Sequence, residues 1–211
     1  LSYKESLKIL KETDALLEGH FILSSGLHSD RYVQCAKLLS KPEKARVICL
    51  SLAEKIKEQF KNIDLILSPA IGGIVIGYEI GRILNIETIF AERVDGKFNL
   101  RRGFEINKEK KILIIEDVIT TGKSSLECSN LVEKAKAEIL GYACIIDRSN
   151  GKSNIEKKIV SQIQIEIPTF KKDNCPITTE TSKRIVRLPF FYNITDEQHL
   201  KVINAIIKFD C

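Results

Sequence analysis

Glu116 and Asp117 stand side by side at the end of the apolar run "KILIIEDV", and Thr120-Thr121-Gly122-Lys123-Ser124 follows at once. A turn of this composition between a strand and a helix suits an anion. Free backbone N–H groups and the positive end of the helix dipole hold a phosphate, and hydroxyls close around it. The ending Gly-Lys-Ser is that of a nucleotide P-loop, yet the position five before Gly122, where a P-loop needs glycine, is Asp117. Carboxylates beside a phosphate repel it, so these two must face something else. Adjacent sugar hydroxyls, or a magnesium ion, are groups that want carboxylates. A ribose 5-phosphate meets both demands, with its phosphate in the turn and its 2- and 3-hydroxyls against the acids.

Two other strand-to-helix turns qualify as ligand loops, "SPAIGG" around Ala70-Ile71-Gly72 and "DRSNG" around Arg148. Glycines in the first let backbone N–H groups approach oxyanions. The guanidinium in the second can grip a carboxylate with two hydrogen bonds. A fourth stretch, "ERVDGKFNLRRG", turns at Asp95-Gly96 and carries Arg93, Lys97, Arg101 and Arg102. Read as a returning strand, it cannot aim Arg101 and Arg102 at the same site, because side chains alternate.

These loops need a frame. "IDLILS", "KILIIEDV" and "GYACIID" are short continuous apolar runs of the kind buried on both faces, and helical patterns separate them. "TIFAERV" and "KFNLRRGF" read as a hairpin, "IQIEI" as a further strand, and "HFILSSGLHSDRYVQC" as two short strands around a Ser-Gly turn. Tyr3, Leu7, Leu10 and Leu17 share a helical face that Gly19 would stop. Pro42 opens a helix with the stripe Ala45, Ile48, Leu52, Ile56 and Phe60, "SSLECSNLVEKAKAE" is another, and Thr195 with Gln198 forms a capping box for the last. The pattern predicts an α/β fold, a largely parallel sheet flanked by helices with its ligands beyond the carboxyl ends of the strands. It forms one domain with a core of about 42–167, a small hood lobe of about 1–41, and 168–211 packing against core or hood.

With 211 residues, 44% apolar and 29% charged, the chain can bury a substantial core. Its net charge of +5 suits anionic small molecules, and no basic, aromatic-rich tract suggests nucleic acid. No apolar run is long enough to span a membrane. The six cysteines lack metal-ligand spacing, so reduced thiols in the cytoplasm are expected. His20 and His28 read as structural.

"ILIIEDVITTGKS" resembles the phosphoribosyl-diphosphate (PRPP) motif of the type I phosphoribosyltransferases. "GHFILSSGLHSDRYVQC" is similar to the N-terminal signature of the orotate phosphoribosyltransferases, and "FAERVDGKFNLRRGF" to the segment before the PRPP strand in one branch of them. The resemblance covers most of residues 19 to 150. It implies the type I fold, transfer of the phosphoribosyl group from PRPP to N1 of orotate, Mg2+ arriving with PRPP, and a homodimer. It places PRPP on Glu116, Asp117, Val118, Ile119, Thr120, Thr121, Gly122, Lys123 and Ser124, on Ala70, Ile71 and Gly72, and on Arg93, a position that the resemblance can also bring across a dimer interface. Orotate falls to Thr120, Arg148 and Ser24. The chain departs from the family in three places. It lacks the Lys-His cluster of the mobile loop, which leaves Lys97, Arg101 or Arg102 to take that role. Family lysines fall at Ser24 and Gly72, and a C-P-x-C is reduced to Cys175 alone. The alternatives are a purine or xanthine phosphoribosyltransferase, which would lack the "SSG" and "LRRGF" pair, and a PRPP-sensing regulator of the same fold.

Overall fold

The alternation of apolar strands and helices builds, in a computed structural model of the chain, a six-stranded sheet of order β5-β4-β3-β6-β7-β8. The structure describes residues 1–23, 25–171, 174 and 195–207. The chain divides into two compact units, Leu1–Thr169 and Phe170–Cys211. The expected packing of 168–211 on core or hood lies largely outside the described residues. In the second unit the helix Asp196–Ile207 opens with the expected box: the Gln198 N–H donates to Thr195 Oγ1 and the Thr195 N–H to Gln198 Oε1.

In the first unit β3 (Leu65–Pro69), β4 (Thr88–Val94), β6 (Lys111–Ile119), β7 (Glu138–Asp147) and β8 (Ile159–Gln164) run parallel. The short β5 (Lys97–Leu100) returns antiparallel on β4 through Asp95 and Gly96, both at positive φ. The strand expected at 163–167 lies earlier, at β8.

Side-chain alternation along β6 sorts its residues between two layers. Leu113 and Ile115 face one cluster with Ile48, Leu52 and Ile56 of α3 (Pro42–Gln59) and Ile76 and Ile80 of α4 (Gly72–Leu84). Ile112 and Ile114 face the other, with Cys128 and Val132 of α5 (Lys123–Lys134) and Phe98 of β5. Each fully buried Leu or Ile in these layers contributes about 1.5–3 kcal/mol.

The first helix is shorter than the sequence predicts. Helix α1 (Tyr3–Glu12) stops at Thr13, whose hydroxyl donates to the Ile9 and Leu10 carbonyls, and Asp14 turns left-handed at φ 58°. Leu17 and Gly19 therefore belong not to this helix but to β1 (Leu16–Ile22), which pairs antiparallel with β2 (His28–Val33). A short α2 (Cys35–Leu39) follows, and its Cys35 and Leu38 join Leu10 and Leu16 in the α3–α4 layer. Hood and core thus share one apolar cluster.

Candidate active site

The chain runs from β3 to β4 on one side and from β6 to β7 on the other, so the strand order reverses between β3 and β6. In an open parallel sheet that crevice, at the carboxyl ends of the two strands, is where a ligand fits. The turns after β3, β6 and β7 meet there.

Glu116 and Asp117 are consecutive on β6, so alternation sends them to opposite faces of the sheet. Glu116 lies on the α5 side, where its Oε2 accepts from Ser125 Oγ at 2.5 Å. Burial pushes its carboxyl up to about 7, against the pull of the Ser125 hydroxyl, and the neighbouring Asp117 charge adds to the rise. Asp117 lies on the α4 side. Burial raises it too, while the Val118 N–H, donating to its Oδ1 at 3.0 Å, works the other way.

The "SPAIGG" turn comes to Asp117 directly. A Cβ built on Gly72 would stand 2.7 Å from Asp117 Oδ1, so only glycine lets this loop approach the carboxylate. The Ala70–Ile71 peptide bond is cis, and Ile71 is exposed.

The turn after β6 is tight and leads straight into α5. Gly122 caps α5 at φ +79°, and a Cβ there would meet Ile155, so the position is closed to other residues on two counts. Thr120, Thr121 and Lys123 are exposed at the mouth. The Lys123 N–H donates weakly to Thr121 Oγ1 at 3.4 Å.

Arg148 stands beside them. Its N–H donates to the Ile119 carbonyl at 2.8 Å, and Ile119 pairs with Asp147, so Thr120 and Arg148 leave neighbouring strands side by side. Burial lowers the Arg148 guanidinium, and its buried Nε has no hydrogen-bond partner among the described residues. A half-buried guanidinium with a donor unspent is built to receive an acceptor. Asp147 escaped the sequence reading: its Oδ1 accepts from the Ser149 N–H at 2.8 Å and fixes the "DRSNG" turn. Its signal was an acid ending a wholly apolar strand.

The hairpin cations divide. Arg93 is engaged within its own chain, 2.6 Å from Glu127 of α5, donating to the Gly96 carbonyl at 2.5 Å and lying over the Phe98 ring. Lys97 is exposed just past the turn and is separated from β6 by β4 and β3. Arg101 and Arg102 are not on a returning strand as expected, because β5 ends at Leu100 and Arg102 turns left-handed at φ 59°. Arg102 makes two hydrogen bonds to Glu92. Ser24 and Cys175 fall outside the described residues. His20 and His28 bond each other at 2.8 Å within the hood hairpin.

Comparison with known proteins agrees with this geometry. The phosphoribosyl transferase domain family matches residues 37–176. The orotate phosphoribosyltransferase of Caldicellulosiruptor saccharolyticus is 47% identical over 174 residues, 82% of this chain and 90% of that relative. That of Chlorobium phaeobacteroides is also 47% identical, over 82% of this chain and 89% of the relative. Among solved structures, the orotate phosphoribosyltransferase of Aeropyrum pernix superposes with a TM-score of 0.65 at 21% identity, over 75% of this chain and 92% of that one. An adenine phosphoribosyltransferase superposes with a TM-score of 0.62 at 17% identity, over 76% of this chain and 99% of the other, so the fold alone does not separate the bases. The sequence relatives do, and the chain belongs to the orotate phosphoribosyltransferase family of the type I phosphoribosyltransferases.

Proposed function

We propose that the chain transfers the 5-phosphoribosyl group from PRPP to N1 of orotate, giving orotidine 5-monophosphate and diphosphate in pyrimidine biosynthesis. The observation that carries the reading is the meeting of Asp117, the Gly72 loop, the Gly122 turn and Arg148 at one switch point of the sheet.

In this assignment the turn Thr120–Ser124 takes the 5-phosphate at the head of α5. Asp117, beside the Gly72 loop, faces the ring carbon that diphosphate leaves, and Glu116, beside the first turn of α5, holds the ribose hydroxyls on the phosphate side. As the carbon–oxygen bond stretches, positive charge grows on the ribose, and two fixed carboxylates stabilise it in a site they need not reorganise. Arg148 grips the orotate carboxylate and presents N1 to that carbon, and as the new bond forms the N1 proton passes to the departing diphosphate or to water. The Ala70–Gly72 backbone receives the departing diphosphate.

Family enzymes use Mg2+ with PRPP. Glu116 and Asp117 lie on opposite faces of β6 and form no resident cage, so either could at most take one edge of an ion that arrives already bound to phosphate oxygens and water. The chain is assigned to the cytoplasm and to a homodimer in which Lys97 reaches a neighbouring site. No helix of the described residues is long and apolar enough to cross a membrane.

The test is turnover with Mg2+ and PRPP against orotate, uracil, adenine, hypoxanthine and xanthine. Orotate alone should be consumed with stoichiometric release of diphosphate. Preference for a purine would replace this reading with the purine alternative, and PRPP binding without any turnover would favour the regulator.

A further inference from the structure

The face of α5 turned to the sheet carries Ser125, Cys128, Ser129 and Val132, a helical stripe that is buried throughout. Two of its members are hydroxyls, and they behave differently. Ser129 Oγ donates back to the Ser125 carbonyl at 3.1 Å, the ordinary local bond of a serine inside a helix, and meets the Tyr142 hydroxyl of β7 at 2.5 Å. Ser125 Oγ makes no such local bond. It crosses to the neighbouring strand and donates to Glu116 Oε2 at 2.5 Å, from a residue with no exposed surface.

Ser125 is the third residue of α5, directly after the phosphate turn that Gly122 opens. One helical turn therefore both shapes the anion site and ties down one oxygen of the ribose acid. Ser129 and Tyr142 fasten that turn from behind, onto β7. A buried carboxylate held by Ser125, with the Ser124 hydroxyl also contributing, has its plane fixed and still keeps acceptor lone pairs for a ligand hydroxyl. A carboxylate without this bond would sample rotamers and would meet the sugar in the right pose only part of the time.

We infer that Ser125 is a positioning residue for the transfer reaction, acting through its single hydrogen bond to Glu116 to aim that carboxylate at the ribose hydroxyls. The inference rests on the assignment of Glu116 to the ribose. It adds to the site a residue outside the phosphate turn, and it makes the first turn of α5 the joint between phosphate binding and ribose orientation. Loss of the bond should be felt in kcat, because the carboxylate's orientation matters most when charge develops on the sugar. The KM for orotate, which Arg148 governs, should not move.

A double-mutant cycle tests it, using the full chain, Mg2+, PRPP and orotate, with thermal unfolding recorded for each protein. Ser125→Ala should lower kcat about ten- to a hundredfold, the range found when the outer partner of a ligating group is lost, with the orotate KM within about twofold. Glu116→Gln should lower kcat at least as far. Adding Ser125→Ala to Glu116→Gln should then change kcat little, since a residue that acts only through Glu116 has nothing left to orient. Ser125→Thr keeps the hydroxyl and should keep most of the activity. Ser129→Ala serves as the structural control: it should lower the melting temperature while leaving kcat near that of the parent. Independent, multiplying losses in the cycle would overturn the inference, as would a Ser129→Ala enzyme that loses kcat in step with Ser125→Ala. Should Glu116→Gln turn over at the parent rate, the ribose assignment itself fails, and a normal Ser125→Ala beside a crippled Glu116→Gln would sink the positioning role alone.

Discussion

At the scale of single residues, the two adjacent acids are not equivalent, because a β-strand cannot point neighbours the same way. Asp117 shares its space with the Gly72 loop and, among the described residues, accepts its side-chain hydrogen bond from the Val118 N–H rather than from a cation. Asp117→Asn keeps the size and removes the charge. The expected outcome is a correctly folded protein with kcat lowered by about 3–4 kcal/mol of transition-state stabilisation, as when one preorganised partner is removed elsewhere. Circular dichroism and initial rates would check it, and a variant with the parent's kcat would refute the ribose assignment. Glu116 gives a pH prediction. Its carboxyl is raised from the ordinary 4.5 to about 7, chiefly by burial. An acid whose folded pKa exceeds the unfolded value loses stability as pH rises between the two, here from about 4.5 to about 7. Catalysis needs the ionised form, so kcat/KM for PRPP should fall as pH drops through about 7, while the melting temperature feels a contribution of opposite sign. Glu116→Gln should abolish that acidic limb.

Secondary-structure elements decide how much of this could be read in advance. The parallel strands, the stripe of α3, the Asp95-Gly96 turn and the phosphate turn were legible because each rests on local pattern: apolar runs, 3.6-residue spacing, residues that tolerate positive φ. The end of α1 was not, because Leu17 continues the helical spacing by coincidence and the stop lies in Thr13 and Asp14, whose backbone geometry leaves no periodic trace. Arg101 and Arg102 were misread for the related reason that a strand's end is set by where its partner stops pairing. Glu127 on Arg93 joins elements far apart in the sequence, and Ser125 on Glu116, though only nine residues apart, depends on how α5 packs on β6, which no local pattern states. The approach of α4 to β6 gives a prediction of its own. Gly72→Ala would thrust a methyl group against the Asp117 carboxylate, so either the loop or the acid must move. PRPP binding measured by calorimetry should weaken about tenfold or more, with the melting temperature nearly unchanged because Gly72 is exposed. Unaltered PRPP affinity would mean that the loop does not receive diphosphate.

For the whole molecule, the question is how a site so rich in acids covers a departing diphosphate. Of the cations on the β4–β5 hairpin, Arg93 is held by Glu127 and Gly96, and Arg102 by Glu92, each within its own chain. Lys97 stands free of such a pairing among the described residues, exposed at the tip, on the outermost strand of the sheet with β4 and β3 between it and β6. A lysine on that edge is badly placed to fold back over its own switch point, and in the homodimer proposed above it is assigned to the site of a second copy. Lys97→Ala should therefore lower kcat, because a cation meeting the diphosphate as its charge grows acts on the transition state. Mixing settles whose site it serves. In a dimer formed from one Lys97→Ala chain and one Asp117→Asn chain, service across the interface leaves one site with both Asp117 and a neighbour's Lys97, and the other with neither. If subunits exchange at random, about half the dimers are mixed and each has one complete site, so the mixture should recover about a quarter of parental activity from two weak enzymes. Subunit exchange must be verified separately, by mass spectrometry of differently tagged chains. With exchange shown, activity no higher than the average of the two variants would mean that Lys97 serves its own chain, and the hairpin would then have to bend inward across β4 and β3 to reach the ligand.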